Sequence, residues 1–255
     1  MTRRVRLVLF AFAGLGLAAV LLVGFHRLPH FGHAHELYGA VINRTEPTLR
    51  HATDIVTALN FDIRAFDTLG EEFILFVSVS GVALLLRHLR DEREQDQLTP
   101  GIEEHRFSGA SDGLRLISLV LIPLLVAFGA YLVFHGQLTP GGGFQGGVVL
   151  AAGPIAILLA GRYLSMKRLA PRRLIESADA IGAASYALIG LGGLIFAGTY
   201  LKTFLPLGAA GHLLSAGIMP LNSIAVGLEV AGGFLLTWTE FFDQTLIAPP
   251  SSSPA

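Results

Sequence analysis

The sequence predicts an all-α, polytopic membrane protein of about six transmembrane helices, arranged two plus four, with an external amphipathic helix. Three observations carry that prediction. The 255-residue chain is 52% hydrophobic and only 15% charged, with a mean hydropathy of +0.61, whereas a soluble domain is about a quarter charged. Six runs are long and apolar enough to cross a hydrocarbon core, which takes ~20 residues. Lysine and arginine also alternate in density between successive loops, as orientation in a bilayer requires.

The first run is 5–25, with Arg3, Arg4 and Arg6 at its start. It exceeds the ~7–15 residues of a signal-peptide core and no A-x-A site closes it, so it reads as a retained span. In the external segment 26–67, Ile55, Val56, Leu59, Ile63 and Phe66 recur at three and four. That period predicts an amphipathic helix over 54–66, lying along the membrane surface or against neighbouring spans. The second span, 68–86, opens on Thr68-Leu69-Gly70-Glu71, a capping box. A charged stretch then separates it from four further spans at 116–134, 144–161, 180–200 and 218–242. The organisation read from this is a two-span unit over 1–90, a cytoplasmic linker over 91–112 and a four-span domain over 113–247. A Pro/Ser-rich tail, 248–255, has the composition of disorder.

Between the third and fourth spans stands TPGGGFQGG, residues 139–147. It contains G-x-G-x-x-G, but a nucleotide fold needs a strand before it and an acid beyond it. The preceding apolar run is far too long for a strand, and no Lys-Ser or Lys-Thr follows, so the phosphate reading fails. Gly143, Gly147 and Ala151 instead share one helix face at a spacing of four, which lets another helix approach closely in lipid. Gly227 and Ala231 repeat the device in the last span, and Ala183, Ala187, Gly193 and Ala197 in the fifth. Pro140 and the glycines before the fourth span permit a sharp external turn.

With a cytoplasmic N-terminus, the inside segments hold thirteen of the 18 Lys and Arg, and only Arg27, Arg44, Arg50, Arg64 and Lys202 lie outside. Both termini are therefore expected in the cytoplasm. The net charge of −1 argues against nucleic acid as a partner. With no cysteine, disulfides, thiolate iron–sulfur ligation and covalent haem attachment drop out. Any electron-carrying chemistry falls to another chain, and no cofactor is expected on this one.

Glu229 is the sharpest chemical signal. It falls near the middle of the last span, where a charged carboxylate costs about 2.5–3.5 kcal/mol on insertion scales. Asn222, Glu229, Gly233 and Glu240 form one stripe at a period of 3.6. Two readings stay open for Glu229: a proton or cation relay, and a hydrogen-bonded carboxyl that locks helices together. Asp62, Arg64, Asp67, Glu71 and Glu72 cluster at the outer mouth of the second span. Acids favour a helix start and Asp62 can pair with Arg64; an external cation-collecting site is the alternative. Glu176 and Asp179 read as solvated helix-start acids or as the mouth of a proton path. His26, His30, His33 and His35 show no metal-ligand spacing on a fixed element and read as surface residues, with a metal site as the weaker alternative. His135 and His212, at external helix ends, can titrate near neutral pH or anchor at the interface. No nucleophile stands with a base.

Two stretches, HGQLTPGGGFQGGVVLAA (135–152) and GHLLSAGIMPLNSIAVGLEVAGGF (211–234), resemble the MnhB subunit of the Mrp/Mnh-type multisubunit Na+/H+ antiporters. ATDIVTALNFDIRAFDTLGEEFILF, residues 52–76, is similar to the C-terminal end of the large A-type subunit of those antiporters, a piece that forms a separate small E-type subunit in membrane-bound hydrogenases. The resemblance implies a small membrane component of a complex related to respiratory complex I, in a bacterial or archaeal plasma membrane. Na+ and H+ would be the transported ions and other subunits the partners. It leaves three readings: a component of a cation/proton antiporter, the same module in a redox-driven ion pump, and a purely structural scaffold.

The charge asymmetry makes a first prediction. In this cysteine-free chain, cysteines placed at Ser108 and Ser252 will resist impermeant thiol reagents added from outside; labelling of both from outside would reverse the orientation.

Overall fold

The structure, a computed structural model, describes residues 3–28, 37–94, 111–160, 166 and 169–247. Linker residues 95–110, the tail from 248 and His30, His33 and His35 lie outside the described residues. The chain divides into two compact units, Met1–Val41 and Ile42–Ala255. In the first, helix α1 runs Arg3–His26, and its apolar side chains are exposed along its length. Helix α2, Leu37–Leu49, follows and accommodates Pro47 within it.

The second unit continues through α3 (Ile55–Ala58), a π-helical turn (Leu59–Ile63), α4 (Ala65–Glu94), α5 (Asp112–Phe134), α6 (Gly143–Leu159), α7 (Arg172–Ala197) and α8 (Met219–Ile247). Across the described residues of both units, five helices are long and apolar enough to span a membrane. Gly143–Leu158 is a shorter apolar helix. There is no strand among the described residues. The predicted all-helical, polytopic class is therefore what the chain adopts.

Helix α8 is the centre of this bundle. It packs against α4, α5, α6 and α7, and most of its membrane-length window is buried. Missing side chains make this possible. A Cβ on Gly143 would stand 2.5 Å from the Ser223 carbonyl, and one on Gly147 would stand 2.7 Å from Val230 Cβ and 2.9 Å from the Gly227 carbonyl. Ala151 is buried on the same face. Gly227 meets Val133 of α5, while Ala231 is half-buried. On the α7 side, Gly182 lies directly against the Glu229 backbone and Gly232 against the Asp179 backbone. Backbones this close gain dispersion contacts that lipid cannot supply to the same density.

The turn before α6 is held without charge. Gly142, at φ +116°, caps the helix in a conformation that side chains disfavour. Its N–H donates to the Leu132 carbonyl at 3.1 Å. The Gln137 carbonyl accepts from the N–H groups of Thr53 and Asp54 at 3.0 and 3.2 Å, and its buried side chain donates to the Leu213 carbonyl at 2.7 Å. One turn thus ties together three connecting segments of the second unit.

Three local expectations change. The continuous amphipathic helix over 54–66 is instead α3, capped by Asp54, then the π-helical turn, with a break at Arg64 (φ −119°, ψ 29°). Burial of Phe61 with Tyr186 and the Asp62 ion pair to Arg50 override the simple period. The capping box does not form, because α4 starts at Ala65 and Thr68 lies inside it, donating to the Asn60 carbonyl at 2.8 Å. Helix α2 is an addition to the expected elements, since Pro47 argues against a helix there.

The α6–α8 contact yields a second prediction. Gly147→Leu will destabilise the protein by about 1–3 kcal/mol, seen as a lowered thermal midpoint in mild detergent. Gly153→Ala, whose Cβ would find only ordinary contacts from 3.4 Å outward, will be near neutral. Equal behaviour of the two variants would contradict the packing.

Candidate functional site

Glu229 sits ten residues into α8, about 15 Å from its start at 1.5 Å per residue. It is 0% exposed, and Glu72 of α4 and Asp179 of α7 are 1% and 2% exposed. The Glu72 and Glu229 carboxyls lie within hydrogen-bonding reach of each other, and Asp179 is close enough to feel the charge of both. No other donor among the described residues reaches the oxygens of Glu72 and Glu229, or Oδ1 of Asp179. Three helices, from both sequence halves, thus bring their acids to one level of the bundle.

Glycines make the room. A Cβ on Gly233 would stand 3.0 Å from Asp179 Oδ1, so any side chain there would compete with the carboxylate. Tyr186 of α7, fully buried, donates from its hydroxyl to the Ala65 carbonyl at 2.9 Å beside Glu72. It ties α7 to the first turn of α4.

A cleft lies on each side of this level. One, of about 320 Å³, is lined by Ser80, Arg172, Glu176 and Asp179, so Asp179 forms its inner end. At its rim Arg172 Nε bonds Glu176 at 2.6 Å and its Nη2 bonds Glu240 at 2.5 Å. The other, of about 540 Å³, is lined by Glu46, Arg50, Asp62, Ala65, Tyr200 and Lys202. Arg50 binds Asp62 at 2.6 Å, and that bond holds the guanidinium above its ordinary range. Burial, with Asp62 beside it, raises Glu46 above the usual carboxylate range against the pull of Arg50.

The sequence-derived candidates separate accordingly. Glu229, Asn222 and Glu240 are all buried on α8, with Glu240 in the ion pair to Arg172 and Asn222 in the first turn of the helix. Asp62 pairs with Arg50 rather than with Arg64, which instead binds Asp67 at 2.6 Å on the exposed surface. Glu71 is exposed, so Arg64, Asp67 and Glu71 are not drawn into the buried cluster. The packing candidates Gly143, Gly147, Ala151 and Gly227 sit at helix contacts. His135 stacks on Tyr131 at 4.4 Å, and His51 bonds the Gly208 carbonyl at 2.6 Å.

Glu72 and Asp179 are the acids that sequence reasoning undervalued. Both read as helix-start residues, yet α7 begins at Arg172 and puts Asp179 well inside. Registers in the sequence mark them. Asp179 repeats with Ile175, Gly182, Ala183, Tyr186, Gly190 and Gly193, the buried face of α7. Glu72, not Glu71, falls in register with Thr68 and Val79, which are buried, and with half-buried Leu75.

Comparison with known proteins agrees with this architecture. Residues 113–236 match the domain related to the MnhB subunit of Na+/H+ antiporters. An uncharacterised protein of Methanocaldococcus jannaschii is 33% identical over 214 residues, covering 78% of this chain and 81% of its own length. A probable K+/H+ antiporter A/B subunit of Rhizobium meliloti is 26% identical over 225 residues, 80% of this chain but 22% of that longer protein. In the structure of a membrane-bound sulfane sulfur reductase, an archaeal respiratory membrane complex, one chain superposes with a TM-score of 0.67 and 27% identity. The overlap covers 93% of this chain and 98% of that one.

A third prediction concerns the rim. Arg172→Ala removes one cation from the buried Glu240 carboxylate and will cost about 3 kcal/mol; adding Glu240→Gln will restore most of it. Thermal midpoints of the two variants check this, and no recovery in the double variant would contradict the pairing.

Proposed function

Because the chain belongs to the family of membrane proteins built on an MnhB-related domain, we propose that it is an integral component of a multisubunit cation/proton antiporter complex. In that complex it contributes helix packing and an ion path through Glu229. The observation that carries this reading is the burial of Glu229 at mid-span beside Glu72 and Asp179. Buried acids within spans are expensive and commonly mark ion pathways. The match to a domain named for Na+/H+ antiporters and the likeness to a K+/H+ antiporter component support it, the two naming different metal cations. The likeness to a fused A/B protein also fits the two-span and four-span organisation over 1–90 and 113–247. On this reading the protein lies in the cell membrane with both termini in the cytoplasm, placing the Arg172 cleft on the cytoplasmic side and the Lys202 cleft outside. Its role is transport within the assembly rather than catalysis.

One observation favours a second reading, the same module in a redox-driven ion pump. The chain covers almost all of one chain from a respiratory reductase complex. The redox groups would then sit on neighbouring chains, as this one has no cysteine. Mild-detergent co-purification separates the two readings by whether the partners are antiporter-type chains alone or include cysteine-rich redox chains.

A fourth prediction tests the path. Glu229→Gln keeps shape and hydrogen bonding but cannot titrate. It will assemble and lower ion-coupled transport in membrane vesicles at least tenfold. Normal transport across pH in an assembled Gln variant would make Glu229 a structural lock, and Glu229→Asp, expected to retain part of the activity, distinguishes the cases if the Gln variant fails to assemble.

A further inference from the structure

The Glu229 reading leaves open what the cluster binds and from which side it is reached. Glu72, Asp179 and Glu229 are nearly inaccessible, and no donor other than the acids themselves reaches the Glu72 and Glu229 oxygens among the described residues. Three ionised carboxylates buried together without a cation cost several kcal/mol each. The cation at the rim, Arg172, is engaged by Glu176 and Glu240. A metal ion is disfavoured by geometry, because no three His, Cys, Asp or Glu side chains among the described residues converge as ligands around one point. Two facing carboxyls do bond each other when one carries a proton, and the proton then belongs to the pair.

Access differs on the two sides. Asp179 is both a neighbour of the pair and a lining residue of the cleft that opens past Ser80 to Arg172. Towards the opposite cleft stands Tyr186, fully buried, with its hydroxyl committed to the Ala65 carbonyl, and Ala65 rather than any of the three acids lines that cleft. The other charged groups nearby are exposed Glu71 on α4, Glu176 and Arg172 on α7, and Glu240 on α8; exposed Arg173 and buried Tyr186 are the remaining titratable groups on α7.

Resting on the Glu229 reading, we infer that Glu72 and Glu229 hold one exchangeable proton between them, and that Asp179 exchanges it with the Arg172 cleft alone. The site is a one-sided proton store. The proton leaves the Glu72–Glu229 pair for an Asp179 oxygen and passes from there to water in the cleft, and reloading reverses the steps. Tyr186 is the closure on the far side.

Infrared spectroscopy of the intact complex tests this without any transport assay, so it can fail independently of the antiport reading. The wild type will show a protonated-carboxyl C=O stretch that shifts on transfer to D2O; Glu72→Gln will shift it further, and Glu72→Gln with Glu229→Gln will remove it. Asp179→Asn will keep the band but slow its exchange at least tenfold. Ser80→Leu, which narrows the cleft without touching a carboxyl, will also slow exchange, while Tyr186→Phe will change it less than twofold. The inference is overturned if the wild type lacks the band, or if neither Asp179→Asn nor Ser80→Leu slows exchange. Slowing by Tyr186→Phe alone would place access on the opposite side and overturn it too. Loss of the band on adding Na+ or K+ at fixed pH would make the cluster a metal-cation site and overturn it equally.

Discussion

The structure depends on how closely other backbones approach α8. Lipid gives no hydrophobic reason for helices to associate, so contact must come from packing. Here Gly143 and Gly147 of α6, Gly182 of α7 and Gly227, Gly232 and Gly233 of α8 leave no room for a Cβ without a neighbour shifting. The same absence does two things. It buries most of α8, leaving one apolar face through Leu221, Leu228, Trp238 and Phe241 exposed, and it lets Glu229 and Asp179 lie where a bulkier interface would exclude them.

The polar groups then follow a gradient along the bundle. At both ends acids are answered by arginine: Glu176 and Glu240 by Arg172, Asp62 by Arg50. In the middle no arginine or lysine among the described residues reaches the acids, and Glu72, Asp179 and Glu229 have mainly each other. Removing one partner of a buried ion pair is costly, so the ends are suited to holding helices in place. A cluster that can be neutralised only by something mobile is suited to exchange. In the proposed function the structural and transport readings of the buried acids therefore fall to different residues of the same stripe, Glu240 to the first and Glu229 to the second.

Much of this was legible in the sequence and some was not. Apolar run length locates the spans because lipid imposes it directly, and the four-residue spacing of Gly143, Gly147 and Ala151 marks a real contact face. Glu229 stands out because nothing else charged lies near it in its span. Its partners were hidden by a different cause. Glu71 and Glu72 are adjacent, and only their register with Thr68, Leu75 and Val79 on the buried face of α4 tells that Glu72 is the one that faces inward. Asp179 reads as a helix-start acid until α7 is seen to begin at Arg172. In the segment 54–66, tertiary burial of Phe61 and the long-range pairing of Asp62 outweigh a local period, so a sound helical pattern is broken into α3 and a π-helical turn.

The central claim is that Glu72 and Glu229 meet inside the bundle as one unit. A double-mutant cycle on the assembled complex measures this directly, with thermal stability of the wild type, Glu72→Gln, Glu229→Gln and the double variant. Side chains in contact couple by at least about 0.5 kcal/mol, whereas independent sites add to within ~0.3–0.5 kcal/mol. The account predicts clear non-additivity, with the double variant differing from the sum of the singles by about 1 kcal/mol or more. Additive effects would mean that the two carboxyls do not touch, and the buried site would not exist.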